Sequence, residues 1–215
     1  NLTAGGKYGF LLLWVIVAAN LAAWLVQYLS AKFGIATGKS LPEVMGDRLT
    51  NKSVRLAYWA QAQLVAIATD VAEIIGGAIA LKILFNLPML VGGLVTGFFS
   101  IAHLSLRERG SEKAFEVVIV LLIGVTAVGF TSGLFAAPAN THAVLTGLIP
   151  HFAGKDSLLL AVSIIGATIM PHAIYAHSAL SCDRSAYRRN VTSKAGLLKA
   201  TKWDVSIAMM VAGLV

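Results

Sequence analysis

The residues best suited to chemistry in this chain include two acids in an apolar stretch. Asp70 and Glu73 lie three positions apart in Ala-Thr-Asp-Val-Ala-Glu-Ile-Ile-Gly-Gly, so a helix places them on one face. A carboxylate at the centre of a bilayer costs about 3 kcal/mol unless it is protonated, paired or facing water. A buried salt bridge is one interpretation, but Lys82 is the only Lys or Arg inside a predicted span and lies near its end. The pair therefore predicts a proton or ion pathway, in which carboxyl groups load and release protons near neutral pH.

A second group surrounds Pro171, in Gly-Ala-Thr-Ile-Met-Pro-His. Proline lacks an N–H and clashes with the carbonyl one turn earlier, that of Ala167, so we predict that the helix kinks or unwinds here. Irregular backbone at membrane depth is tolerated where protein covers it or where it lines a wet cavity, and freed carbonyls there can coordinate ions. The Met170 thioether favours late or polarisable divalent metals over calcium and magnesium. Methionine is also an ordinary apolar residue of membrane helices.

Two histidines follow the proline. His172 and His177 are five positions apart, which is roughly 140° around a regular helix, so they do not form a bidentate metal site. Imidazole titrates near pH 6.5, and this favours proton relay or gating. A purely structural histidine is an equally good interpretation of His177 taken alone.

The elements that must position these residues are membrane helices. Of the 215 residues 57% are hydrophobic and 13% are charged, compared with roughly 25% charged residues in soluble domains. Crossing a bilayer takes about 20 apolar residues in a helix. The sequence predicts a single, all-α transmembrane domain over residues 1–215, with five complete spans and a truncated sixth. These spans are 9–29, 58–85, 88–106, 115–135, 158–180 and 203–215.

Basic residues indicate which side of the membrane each loop occupies. Segments 30–55, 107–113 and 181–202 carry 14 of the 17 Lys and Arg residues, and the others are Lys7, Lys82 and Lys155. Because cytoplasmic loops are enriched in basic residues, we predict that these three segments are cytoplasmic and that the chain is a multi-pass protein of a cell membrane. The compact loops are typical of a bacterial inner or plasma membrane protein. The same rule accounts for the net charge of +7, so no nucleic-acid partner is predicted.

Other classes of protein fit the residues less well. Cys182 is the only cysteine, so neither an intrachain disulfide nor a cysteine-based zinc site is available. No His-Glu-x-x-His helix is present for a membrane metalloprotease, and we predict that the chain is not an enzyme. A purely structural subunit would leave the acids and the proline break unexplained. A divalent-cation channel is the alternative, although the sequence contains no repeated filter element.

Three stretches resemble the Nramp family of divalent metal transporters, which includes bacterial manganese and iron importers. They are Ala-Thr-Ile-Met-Pro-His with the following Ala-Ile-Tyr-Ala-His-Ser-Ala-Leu, Gln-Ala-Gln-Leu-Val-Ala-Ile-Ala-Thr-Asp-Val-Ala-Glu, and Leu-Val-Gln-Tyr-Leu-Ser-Ala-Lys-Phe-Gly-Ile-Ala-Thr-Gly-Lys. The Met-Pro-His element is highly specific and the carboxylate pair moderately so. The resemblance covers essentially the whole chain.

The resemblance implies the inverted-repeat transporter fold shared with neurotransmitter:sodium symporters. It also implies proton-coupled import of Mn²⁺ or Fe²⁺, with tolerance for Cd²⁺ and Co²⁺, as transported substrates and not as cofactors. On the family pattern Met170 matches the thioether metal ligand and Ala167 the carbonyl ligand. The family's proton and conformational network is matched by Asp70, Glu73, His172 and His177.

Parts of the family pattern are absent from this sequence. On the family's map the chain covers the tail of helix one, helices two to six and the start of seven. The Asp-Pro-Gly-Asn of the first helix and the later arginine-bearing helix do not occur here, so we expect this chain to be a fragment of a longer protein. The missing remainder would supply the metal-binding Asp and Asn and a partner for the acids. Gln63 stands where many members have glutamate, which puts part of the family's proton route in doubt.

Overall fold

The computed structural model describes residues 2–108, 112–136, 140–188 and 193–214, and their regular secondary structure is helical throughout. The all-α prediction is confirmed. In chain order the helices are α1 Leu2–Tyr8, α2 Leu13–Thr37, α3 Leu41–Arg48, α4 Lys52–Phe85, α5 Met89–Glu108, α6 Glu112–Ala136, α7 Thr141–Gly147, α8 Lys155–Thr168, α9 Pro171–Arg188 and α10 Lys194–Leu214.

Apolar helices lie over the predicted spans, and their membrane boundaries stay predictions. Within the described residues, three helical stretches are long and apolar enough to cross a membrane, Leu13–Thr37, Lys52–Phe85 and Lys155–Asp183, and two shorter apolar helical stretches are Met89–Ser105 and Val117–Gly133. The helices continue beyond the predicted boundaries, since apolar composition marks the hydrocarbon layer and not the helix end. Helix α2 runs on to Thr37, and Gly38 ends it in the left-handed conformation with φ 70°, its N–H donating to the Gly34 carbonyl at 2.9 Å.

Contacts divide the chain into two compact units, and each is described by itself. The first comprises Asn1–Ala57 with Leu134–Val215, and the second comprises Tyr58–Gly133. In the first unit α2 is central and packs against α8, α9 and α10. Gly34 is buried where α2 meets α9, and a Cβ there would collide with the Ser178 carbonyl. Only glycine allows this close approach of the two backbones.

The second unit pairs α4 with α5 through small residues. Gly77 lies against the Thr96 side chain, and a Cβ on Gly92 would come within 3.0 Å of the Ala78 Cα. The sequence predicts packing through Gly76, Gly77 and the Gly93/Gly97 pair. Gly76 and Gly97, however, have open space at the Cβ position as far as the described atoms show. The glycine pattern thus indicates a tight helix pair, while the three-dimensional arrangement determines which glycines form it.

Candidate functional site

The predicted span at 158–180 is two helices with a break between them. Helix α8 ends at Thr168 and α9 begins at Pro171, which leaves Ile169 and Met170 outside both. The Ile169 N–H still donates to the Ile165 carbonyl at 2.9 Å, and the Met170 carbonyl accepts from the Ile174 N–H at 3.3 Å. In an uninterrupted helix residue 171 would donate to residue 167, but proline has no N–H to donate. The Ala167 carbonyl therefore loses its helical donor.

The break provides two different ligand types close together in the chain. Met170 has 37% of its surface exposed, and Ala167 is also exposed. A thioether is a soft ligand and a carbonyl oxygen is a hard one, a combination that suits a transition metal better than calcium or magnesium. Among the described residues no group of three or more His, Cys, Asp or Glu side chains could hold a metal ion.

The two histidines of α9 have different surroundings. His172 Nδ1 is buried and has no hydrogen-bond partner among the described residues. His177 Nδ1 lies 2.6 Å from Oε1 of Gln27 on α2. An amide oxygen can only accept, so Nδ1 carries the proton and the Nε2 atom of a neutral ring is left as an acceptor. The neighbour on α2 thus determines the tautomer of His177, whereas His172 still has a nitrogen available.

Sequence reasoning missed the polar face of α2 that meets these helices. The Ser30 hydroxyl donates to the Ile174 carbonyl at 2.6 Å, and the Asn20 side-chain amide donates to the Met209 carbonyl at 3.1 Å. With Gln27, these residues stand at intervals of seven and three, which places them on one side of a helix. A search for polar residues inside apolar runs would have found them, because they carry no charge and so escape a search limited to ionisable groups.

The acidic pair lies in the second unit. Asp70 and Glu73 are both on α4 and both exposed, and neither forms an ion pair or a side-chain hydrogen bond with any described residue. The chain as described therefore contains no salt bridge for them. The structure brings Ala167, Met170, Pro171, His172 and His177 together in one unit and places the two acids in the other.

A cavity of about 430 Å³ also lies in the first unit, away from the break. Its lining comes from the segment before α2 and from α7, and includes Tyr8, Phe10, Thr146 and His151. Because Met170 does not line it, this cavity is not the site predicted from the sequence.

Comparison with known proteins shows which family this chain resembles. Residues 1–215 match the family described as natural resistance-associated macrophage protein-like (Nramp). The chain is 53% identical over 213 residues to the divalent metal cation transporter MntH of Mycobacterium tuberculosis, covering 99% of this chain and 50% of that protein. It is 44% identical over 216 residues to MntH of Bacillus subtilis, covering 100% and 50%. The chain spans about half the length of the curated relatives it matches.

A solved structure gives the same result for the fold. The crystal structure of the Eremococcus coleocola manganese transporter, in complex with an aromatic bis-isothiourea substituted compound, superposes with a TM-score of 0.82 at 33% sequence identity. The match covers 98% of this chain and 44% of that transporter. The helices of this chain are therefore similar in fold to about half of that transporter.

Proposed function

This chain belongs to the Nramp family, as its motifs predict, and on that premise we propose that the protein containing it imports divalent transition metals by proton-coupled alternating access. The proposed substrates are Mn²⁺ and Fe²⁺, with tolerance for Cd²⁺ and Co²⁺, and the proposed location is a bacterial plasma membrane. The relatives are named as transporters, in agreement with the prediction that the chain is not an enzyme.

One observation carries the metal assignment: the helix break between Thr168 and Pro171. A metal ion that leaves water loses oxygen ligands, and these must be replaced at once by groups in the protein. In the proposal, the Met170 thioether and the Ala167 carbonyl supply two of the replacements. Hard ions such as Mg²⁺ and Ca²⁺ gain little from a thioether, so Met170 acts as the residue that discriminates among divalent ions.

Proton coupling requires groups that change charge as the metal binds. His172 has a buried ring nitrogen with no described partner, and His177 has its Nδ1 proton directed at Gln27. In the proposal both take part in proton relay or gating, together with Asp70 and Glu73 on α4. A divalent cation near the two histidines favours release of their protons, and this links metal binding to proton movement.

The discontinuous helix supports the proposal of alternating access. Transporters with broken helices rock one group of helices against another around a fixed central site. Helix α9 is bonded to α2 through Ser30 and Gln27. Two residues outside regular helix separate α8 from α9. The angle between α8 and α9 can therefore change without breaking hydrogen bonds inside either helix.

The experiment is divalent-metal uptake into proteoliposomes by the full-length protein, at acidic outside pH and with excess Mg²⁺ or Ca²⁺ present. Wild type is compared with Met170→Ala and with Met210→Ala, a matched loss of an exposed thioether on α10. We expect wild type and Met210→Ala to take up Mn²⁺ despite the excess, and Met170→Ala to lose that discrimination by about tenfold or more.

Two results would reject parts of the proposal. If Met170→Ala transports and discriminates like Met210→Ala, Met170 serves only for packing and the site assignment is wrong. Single-channel currents instead of saturable, pH-dependent uptake would favour the divalent-cation channel.

A further inference from the structure

The two ends of the first unit differ in charge. Helix α10 runs antiparallel to α2, since Lys194 Nζ donates to the Ala36 carbonyl at 2.9 Å while Trp24 Nε1 donates to Ser206 Oγ at 3.0 Å. The carboxyl end of α2 therefore lies beside the start of α10, and α3 and the first turn of α4 follow it in the chain. Basic residues from two distant parts of the sequence meet at this end.

Six of these cations are exposed and have no ion-pair or hydrogen-bond partner among the described residues. We call this group the basic collar. It consists of Lys32, Arg48, Lys52, Arg55, Lys199 and Lys202.

The nearby acids that the structure describes do not cancel this charge. Glu43 accepts from the backbone N–H of Ser40 at 2.6 Å in the capping box of α3, and Asp47 accepts from Lys39 at 2.6 Å. Asp183 and Asp204 are further acids at this end, fewer than the six cations of the collar. At the opposite end of the unit Lys7 pairs with Asp156 at 3.7 Å. Lys155 is the further described cation at that end, so most of the excess positive charge among the described residues of this unit lies at the collar end.

One exposed tryptophan lies beside the basic collar. Trp203 follows Lys199 by four residues on α10, and 63% of its surface is exposed. Exposed tryptophans near the ends of apolar stretches collect at headgroup depth, where the ring is in the apolar layer and the N–H is in the polar layer. Helix α10 therefore presents cations at the level expected for lipid phosphates.

We propose that the basic collar binds anionic phospholipid headgroups, with the phosphodiester of phosphatidylglycerol as the representative ligand. Cations at a membrane surface attract anionic lipids over a distance set by ionic screening. The flanking Trp203 and the apolar helices favour a lipid over free phosphate, because a lipid can contact charge, ring and hydrocarbon together. This inference depends on the protein lying in a membrane and not on the proposed metal transport.

The test uses the full-length protein in neutral detergent micelles and measures quenching of tryptophan fluorescence by brominated lipids. The part of the signal that is lost in Trp203→Phe reports lipid beside the collar. We expect brominated phosphatidylglycerol to quench this part at about tenfold lower lipid fraction than brominated phosphatidylcholine. The preference should disappear in Lys32→Gln/Lys199→Gln/Lys202→Gln.

The matched control is Lys7→Gln/Lys82→Gln/Lys155→Gln, which removes the same number of charges outside the collar. It should keep the preference for phosphatidylglycerol.

If the collar variant does not fold, the lipid preference of wild type is measured at several salt concentrations instead, since an electrostatic preference must weaken as ionic strength rises. Equal preference in the two triple variants, or a preference that salt does not change, would overturn the proposal. Loss of the preference on adding inorganic phosphate would assign the site to the free anion instead. No metal is present, so failure of the transport proposal leaves these outcomes unchanged.

Discussion

The two units differ in how several of their polar side chains inside apolar helices are bonded. In the first unit the Ser30 hydroxyl, the Asn20 amide and the His177 ring all bond to a different helix. In the second unit the hydroxyls of Thr69 and Thr96 bond to carbonyls of their own helices. The acids of α4 have no described partner at all.

This difference separates two kinds of polar residue in a membrane protein. A polar group bonded across two helices holds the helices together and can be explained by stability alone. An ionisable group with no described partner costs free energy at membrane depth, so stability of the described structure does not explain it. The comparison therefore agrees with a mainly structural role for the α2 polar face, while the role of the α4 acids stays a prediction.

The largest expected effect comes from Asp70→Asn in the full-length protein. Removing a titratable group from the proposed proton pathway should lower acid-driven Mn²⁺ uptake by about a hundredfold, near the upper end of usual couplings between sites. The measurement is initial uptake rate as a function of outside pH. Asp183→Asn, an exposed acid at the end of α9, is the control and should transport normally. Normal uptake by Asp70→Asn would remove the functional distinction between the units.

The second effect is on stability, through the close contact between α2 and α9. Gly34→Ala places a Cβ against the backbone carbonyl of Ser178, and overpacking of this kind costs about 2 kcal/mol in free energy of unfolding. A lowered thermal unfolding midpoint in detergent would report it. Gly97→Ala is the matched control, since no described atom lies within 4 Å of its added Cβ. Equal midpoints for the two variants would mean that α2 and α9 are not tightly packed.

A smaller loss of stability is expected from Ser30→Ala, which removes the 2.6 Å hydrogen bond to the Ile174 carbonyl. The expected cost is about 1 kcal/mol in free energy of unfolding, the usual net value of one hydrogen bond. Ser163→Ala removes a hydroxyl that bonds to Leu159 within its own helix and should have less effect. An equal or greater loss for Ser163→Ala would show that bonding across helices contributes nothing special in the first unit.

The smallest effect concerns the capping box of α3. Hydrogen bonds from Ser40 to the Glu43 carboxylate lower the pKa of Glu43 below its ordinary value of 4.5. A lowered pKa in the folded state means that the stabilisation is complete above pH 4.5 and is lost as pH falls through the lower, folded value. The unfolding midpoint of wild type should therefore approach that of Glu43→Ala in acid. A difference between the two that is constant with pH would contradict this.

Several features could be predicted from residue types along the chain. A proline removes a specific donor wherever it occurs in a helix, so Pro171 and Ala167 mark the place where α8 and α9 separate. Long apolar runs with few charges predict membrane helices, and these agree with the observed helices to within a few residues at most ends. The Met-Pro-His element predicts family membership, which the comparisons confirm. The roles of Met170, Ala167 and the ionisable residues stay predictions.

Other features depend on which helices pack against each other, and local sequence does not predict this pairing. In the sequence Gln27 is only a polar residue in an apolar run. In the structure, α9 places His177 Nδ1 at 2.6 Å from Gln27 Oε1. Gly34 is one of 20 glycines. Glycine is required at this position only because α2 and α9 cross there. The basic collar joins residues about 150 positions apart because α10 packs antiparallel to α2. Composition and spacing thus determined that this chain forms membrane helices with a break at Pro171. Tertiary packing alone decided which polar groups find partners, because hydrogen bonds and charge clusters between helices depend on distances in space.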